Sequence, residues 1–119
     1  MGLVARELES HGIATVVLGS ALDIIEYCGV PRFLFTDFPL GNPCGKPYDR
    51  VMQRAIVTQG LALLHGAQQP STVERTAFRW SQDESWRERY ARVDDFNREK
   101  LKRAGDERRA RQARQKQSA

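Results

Sequence analysis

Ile13-Ala-Thr-Val-Val-Leu18 and Arg32-Phe-Leu-Phe-Thr-Asp37 are the two stretches whose reading decides the fold. Each is a short, continuous apolar run rich in β-branched or aromatic residues. Such runs suit strands that are covered on both faces, as in a parallel sheet. Between them, Gly19-Ser20 turns the chain and Ser20 can cap a helix over residues 21–28, which Gly29-Val-Pro31 ends. Strand, short helix and strand make a βαβ unit, expected to be parallel with a right-handed crossover. The predicted fold class is therefore α/β: a small parallel sheet, two strands of it in this chain, flanked by helices, with a long charged C-terminal helix.

Outward from this unit, residues 3–10 read as a helix with Leu3, Val4 and Leu8 on one face and Arg6, Glu7 and Glu9 toward solvent. His11-Gly12 closes it. Such a helix, run antiparallel to the strand it feeds, puts Met1 and Gly2 at the C-terminal edge of the sheet. Residues 47–65 read as the longest core helix, with Pro47 in its first turn and Asp49 near its positive end. Its apolar face comprises Val51, Ala55 and Leu61 together with Met52, Ile56 and Leu63, and Gly60 is a mild interior defect. The expected organisation is a core over residues 1–69, a connector over 70–82, an amphipathic helix over 83–104 and a basic, disordered tail over 105–119. Trp86, Tyr90, Val93 and Leu101 form the stripe of the second helix, with Phe96 beside it. Two strands alone do not make a stable sheet, so strands from another chain, or self-association across an edge, are expected.

The 119 residues carry a net charge of +4, all of it in the last part of the chain. From Asp83 onward there are twelve Lys/Arg against eight Asp/Glu, and the first 82 residues balance at seven against seven. The core thus has no basic surface for nucleic acid, and a solvated helix end accounts for the tail. The two cysteines, Cys28 and Cys44, form no CxxC and no cysteine–histidine cluster, so neither a zinc site nor a disulfide framework is expected. No window approaches a membrane span and the first residues do not form a signal peptide, which makes a soluble cytoplasmic protein the expectation. No motif calls for a cofactor.

The candidate chemistry lies in the loop Asp37-Phe-Pro-Leu-Gly-Asn-Pro-Cys-Gly-Lys-Pro47, which packs three prolines and two glycines beside a thiol, an amide and an amine. It leaves the C-terminal end of the second strand, as the Gly19-Ser20 turn leaves that of the first. Open α/β sheets place their ligands at that edge. Gly19 and Ser20 are candidates for holding an anionic group at a helix start. Asn42, Cys44 and Lys46 are candidates in the facing loop, with Cys44 as the reactive thiol, activated by Lys46 and the start of the long helix. Cys28 is read as buried packing.

Gly2-Leu-Val-Ala-Arg-Glu-Leu-Glu9, Gly12-Ile-Ala-Thr-Val-Val17, Ser20, Ile24, Pro31-Arg32, Pro39-Leu-Gly-Asn-Pro43 and Gln53-Arg-Ala-Ile-Val57 stand in an order that resembles a known family. It is the B component of glycine, sarcosine, betaine and D-proline reductases, the selenoprotein B family, in its C-terminal part. The resemblance covers residues 2–64. It implies reductive cleavage of a carbon–nitrogen bond in a small amino-acid-like substrate. In that family the redox-active selenocysteine or cysteine motif precedes the helix that starts here at Gly2, so this chain lacks it. The resemblance therefore implies a subunit or fragment that works with a companion subunit carrying the motif, and it transfers no role to Cys44. The alternative is a non-catalytic module that binds a partner through the C-terminal stripe and basic tail.

Overall fold

The computed structural model describes residues 1–89 and 92–117. In chain order it comprises α1 (Gly2–Ser10), β1 (Val17–Gly19), α2 (Leu22–Cys28), β2 (Arg32–Phe35), α3 (Arg50–Gly66), β3 (Thr72–Arg75), α4 (Trp86–Arg89) and α5 (Arg98–Gln117). The chain divides into two units, Met1–Arg87 and Glu88–Ala119. The first holds a three-stranded parallel sheet of order β1-β2-β3. The architecture is α/β, with one strand more than the apolar runs announce.

β3 is that additional strand. Thr-Val-Glu-Arg has no apolar run, and its residues are half-buried or exposed. It exists because β2 offers it a backbone ladder, in register Arg32↔Thr72 through Phe35↔Arg75. The connector expected over 70–82 thus contributes to the sheet. β1 is shorter than its apolar run. Residues 13–16 run on without a strand partner, and pairing begins at Val17↔Phe33.

β2 is the centre of the core. Phe33 and Leu34 are both 0% exposed, on opposite faces of the sheet. On one face Val17, Phe33 and Phe35 pack with Ala5, Val30, Leu22 and Ile25. On the other, Leu34 packs with Ile56, Leu63 and Phe38, joined by Leu18, Met52, Phe78 and Trp80. Helices α2 and α3 therefore cover opposite faces, although both crossovers step in the same direction across the sheet. The two have opposite hands, so one is the uncommon left hand. The long connection over residues 36–49 gives the chain the length for this.

Two glycines set the spacing of these layers. A Cβ on Gly19 would lie 2.8 Å from the Phe33 ring, and one on Gly60 would lie 3.1 Å from Leu18 Cδ1. Gly60 is therefore a contact point, and the buried face of α3 is Ile56, Gly60 and Leu63 with Met52 half-buried. Val51, Ala55 and Leu61, expected on that face, are exposed, because the closest approach to the sheet runs along the Gly60 line.

The first helix also differs from expectation. Its buried residues are Gly2 and Ala5, and Leu3, Val4 and Leu8 are exposed. Gly2 lies against Cys28 and Val30, which stand at the start of β2. Helix α1 thus crosses the N-terminal edge of the sheet, and Met1 and Gly2 are not at the C-terminal edge. The unpaired residues between Ser10 and Val17 give the slack for that crossing. A polar clamp holds it there. One Glu9 carboxylate oxygen, Oε1, accepts from the Thr15 backbone N–H, from the Thr15 hydroxyl at 2.9 Å and from Arg32 Nη1 at 2.7 Å. Partial burial opposes the charge, but the Thr15 bonds and the Arg32 guanidinium outweigh it and hold the Glu9 carboxyl below its usual range.

In the second unit the helix expected over 83–104 is interrupted. Asp94 Oδ1 accepts from the backbone N–H of Phe96 and Asn97 at 3.1 and 3.0 Å, and Asn97 Oδ1 accepts from the Asp94 N–H at 3.0 Å. This reciprocal cap starts a new helix, α5. Trp86 lies in α4 and Leu101 in α5, so the expected stripe is not on one helix, and Tyr90 lies outside the described residues. Helix α5 continues through the basic stretch to Gln117, where Arg, Ala, Gln and Lys are good helix formers. Among the described residues no helix is long and apolar enough to cross a membrane.

Three outcomes follow from these contacts. Gly19→Ala drives a methyl into the Phe33 ring and should destabilise the protein by about 1–3 kcal/mol, read as a lower Tm. Gly66→Ala, with open space around its Cβ position, should be neutral or mildly stabilising. Glu9→Gln should destabilise at pH 7 by about 1–2 kcal/mol. Because the folded-state pKa of Glu9 is depressed, its contribution is present above the unfolded value of about 4.3 and is lost as pH falls through the folded value. The Tm gap between variant and wild type should close below about pH 4.

Candidate functional site

The parallel strands end together at Gly19, Phe35 and Arg75, which are paired in register. The ladders extend one residue further, with Thr36 N donating to Gly19 O and Thr76 N donating to Phe35 O, both at 2.9 Å. The next residues are Ser20, Thr36 and Thr76, one hydroxyl from each strand. The hydroxyl oxygens of all three are buried and have no hydrogen-bond partner among the described residues. With neighbouring strands about 4.8 Å apart, the row spans roughly 10 Å. Thr36 is the most enclosed, at 0% exposure. Leaving a buried hydroxyl unpaired costs about 1–3 kcal/mol, so three in one row are a concentration of unspent donors at this edge.

The loop over residues 37–49 lies at the same edge. Pro39 O accepts from the Asn42 backbone N–H at 3.1 Å and from Asn42 Nδ2 at 3.2 Å, and Asn42 O accepts from Gly45 N. Asn42 therefore shapes the turn. Gly45 takes φ +112, and a Cβ there would press on Gln53 at 3.2 Å. Lys46 O accepts from Gln53 Nε2 at 2.7 Å, which ties the loop to α3. The Lys46 ammonium lies 5.9 Å from the centroid of the Trp80 ring, and Trp80 meets Phe38 edge-on at 5.3 Å.

Each expected site residue can now be placed. Gly19 serves packing against Phe33 and gives its carbonyl to Thr36. Ser20 is not the cap of α2. Ala21 stands there with no side-chain cap bond, and Asp23 supplies the first turn with its own carboxylate. Ser20 belongs to the hydroxyl row instead. Cys44 is exposed, and it precedes α3 by several residues, since Asp49 caps that helix by accepting from Met52 N at 3.0 Å. Cys28 is exposed as well, contrary to its expected burial, because α2 turns that position outward beside Gly2. Gly19 and Ser20 share the sheet edge with the loop. Among the described residues no hydrogen bond or ion pair joins Ser20 to Asn42, Cys44 or Lys46.

Thr36, Thr76 and Trp80 were not singled out from the sequence. Their signal is weak: a hydroxyl residue directly after a strand is common and says nothing of burial. Their significance comes from register. No group of three or more His, Cys, Asp or Glu that could hold a metal occurs among the described residues.

The chain is 32% identical over 62 residues to the D-proline reductase subunit gamma of Acetoanaerobium sticklandii. The match takes in 52% of this chain and 26% of that subunit, so the chain spans about a quarter of the relative's length. The reductase resemblance carried by the sequence motifs is thereby shown over half of the chain. No protein-family model matches, and no solved structure does.

Thr36→Val, which keeps the shape and removes an unpaired buried hydroxyl, should stabilise the protein by about 1 kcal/mol, measured as a higher denaturation midpoint. A drop in stability would show that the hydroxyl already has a partner.

Proposed function

We propose that this chain supplies the substrate-side edge of a reductase site of the selenoprotein B type. The observation that carries the reading is the 32% identity over 62 residues to a D-proline reductase subunit. The reaction is reductive cleavage of a carbon–nitrogen bond in an amino-acid-like substrate. The C–N bond takes up two electrons and two protons, so that C–H and N–H bonds replace it. The electrons come from a dithiol through a selenol or thiol on a companion polypeptide.

In this arrangement the row Ser20, Thr36 and Thr76 donates to the substrate carboxylate. Lys46 adds positive charge from the loop, and Gly19 and Asn42 hold the edge and the turn in shape. Cys44, which is exposed, is the one thiol of the loop and a candidate to relay electrons. The companion has surface to occupy. β1 and β3 each have one unpaired edge. Leu3 is 81% exposed and Tyr27 95% on helices α1 and α2, where Val4 and Ile24 are also open. Apolar residues in such number suit a permanent partner or a second copy.

The test is a graft. Residues 2–64 of this chain replace the matching stretch of the Acetoanaerobium sticklandii subunit gamma, and dithiol-dependent consumption of D-proline is followed. The graft should retain turnover, and Thr36→Val and Ser20→Ala within it should each lower kcat/KM by about tenfold, one lost hydrogen bond to a charged group. A folded graft without turnover, or one indifferent to both substitutions, would overturn the reading.

A further inference from the structure

A second cavity opens at the C-terminal edge of β2 and β3, built largely from residues 75–87, beyond the stretch that resembles the reductases. Its volume is about 250 Å³, and Phe35, Phe78, Trp80 and Trp86 give it aromatic walls. Three guanidinium groups, Arg75, Arg79 and Arg87, and two carboxylates, Asp37 and Glu84, line it as well.

The charges do not cancel. Arg87 takes both carboxylates: Nη1 and Nη2 donate to the two Asp37 oxygens, at 3.0 Å for Nη1, and Nε donates to Glu84. The bonds to Asp37 first, then to Glu84, raise the Arg87 pKa above its ordinary value. Arg87 also lies 4.6 Å over the Trp86 ring, which completes its partners. Arg75 and Arg79 have no carboxylate partner among the described residues. Arg75 is held 4.8 Å over the Phe35 ring, an arrangement that orients a guanidinium and leaves its donor edge open.

We infer that this cavity is a binding site for a small carboxylic acid with a flat apolar body, held by Arg75 and Arg79. A guanidinium fork matches the two oxygens of a carboxylate. The aromatic walls take the flat body, as small-molecule sites combine apolar lining with a few placed polar groups. The volume lies below the range of drug-sized pockets and admits one ring with its acid group. The Arg87–Asp37–Glu84 cluster braces the wall and consumes the two carboxylates that would otherwise repel the ligand.

The two guanidinium groups that would hold the acid, Arg75 and Arg79, lie outside the resembling stretch, so this inference does not rest on the reductase reading. The chain contains two tryptophans, and both line the cavity. Their two indole N–H signals in the NMR spectrum of the full chain report its occupancy. Benzoate, the probe, should shift both signals saturably. Benzamide, its neutral counterpart, should shift neither at the same concentrations. Arg79→Gln, at an exposed position, should leave the ligand-free signals in place and weaken benzoate at least tenfold. Arg103→Gln in α5 should change nothing. Absence of any saturable shift, equal response to benzamide, undiminished binding in Arg79→Gln, or tighter binding of inorganic phosphate than of benzoate would each overturn the inference.

Discussion

The first unit depends on β2 being covered on both faces at once. Phe33 and Leu34 are fully buried on opposite sides, and every other element of Met1–Arg87 is placed by what it adds to one side or the other. β1 and β3 are short, and neither is covered as completely as β2. A strand of four residues can hold two neighbours only if the layers above and below approach closely. Gly19 under the Phe33 ring and Gly60 over Leu18 make that approach possible. The hydrophobic contribution of two large side chains thus rests on two positions without any side chain.

The same constraint brings the strands to a common end. Three short parallel strands in register finish in one row, and the next row carries Ser20, Thr36 and Thr76. Their unpaired hydroxyls lower stability, a cost of burying polar groups beside an apolar core. The opposite edge is treated differently. There the Glu9 carboxylate accepts from Thr15 and from Arg32 Nη1 and fastens α1 across the strand starts. One edge of the sheet is closed by charge, and the other is left with donors to spare.

The reductase kinship and the residues beyond it divide along the chain. The relative accounts for about half of these residues, and the sheet edge proposed to hold substrate falls mostly within the resembling stretch. β3 and residues 75–87 lie past it. They close the sheet with a polar strand and wall off a cavity rich in arginine and tryptophan. Within the second unit a new cap at Asp94 and Asn97 starts α5, which buries little apolar surface of its own, Leu101 being its one large apolar residue.

The α/β class, the parallel pairing of the first two strands and the place of the proline-rich loop were legible in the chain itself. Apolar runs, glycines and prolines act over a few neighbours, and their meaning survives without tertiary context. What needed the tertiary structure involves residues far apart in sequence. Thr72–Arg75 is a strand because β2 pairs with it, and its own residues carry no apolar pattern. The burial of Ala5 and Gly2 in place of Leu3 and Val4 follows from how closely α1 approaches Cys28 and Val30, a distance no periodicity encodes. The hydroxyl row exists only through register. Ser20, Thr36 and Thr76 are unremarkable one at a time, and they form a row because the backbone ladders set them side by side.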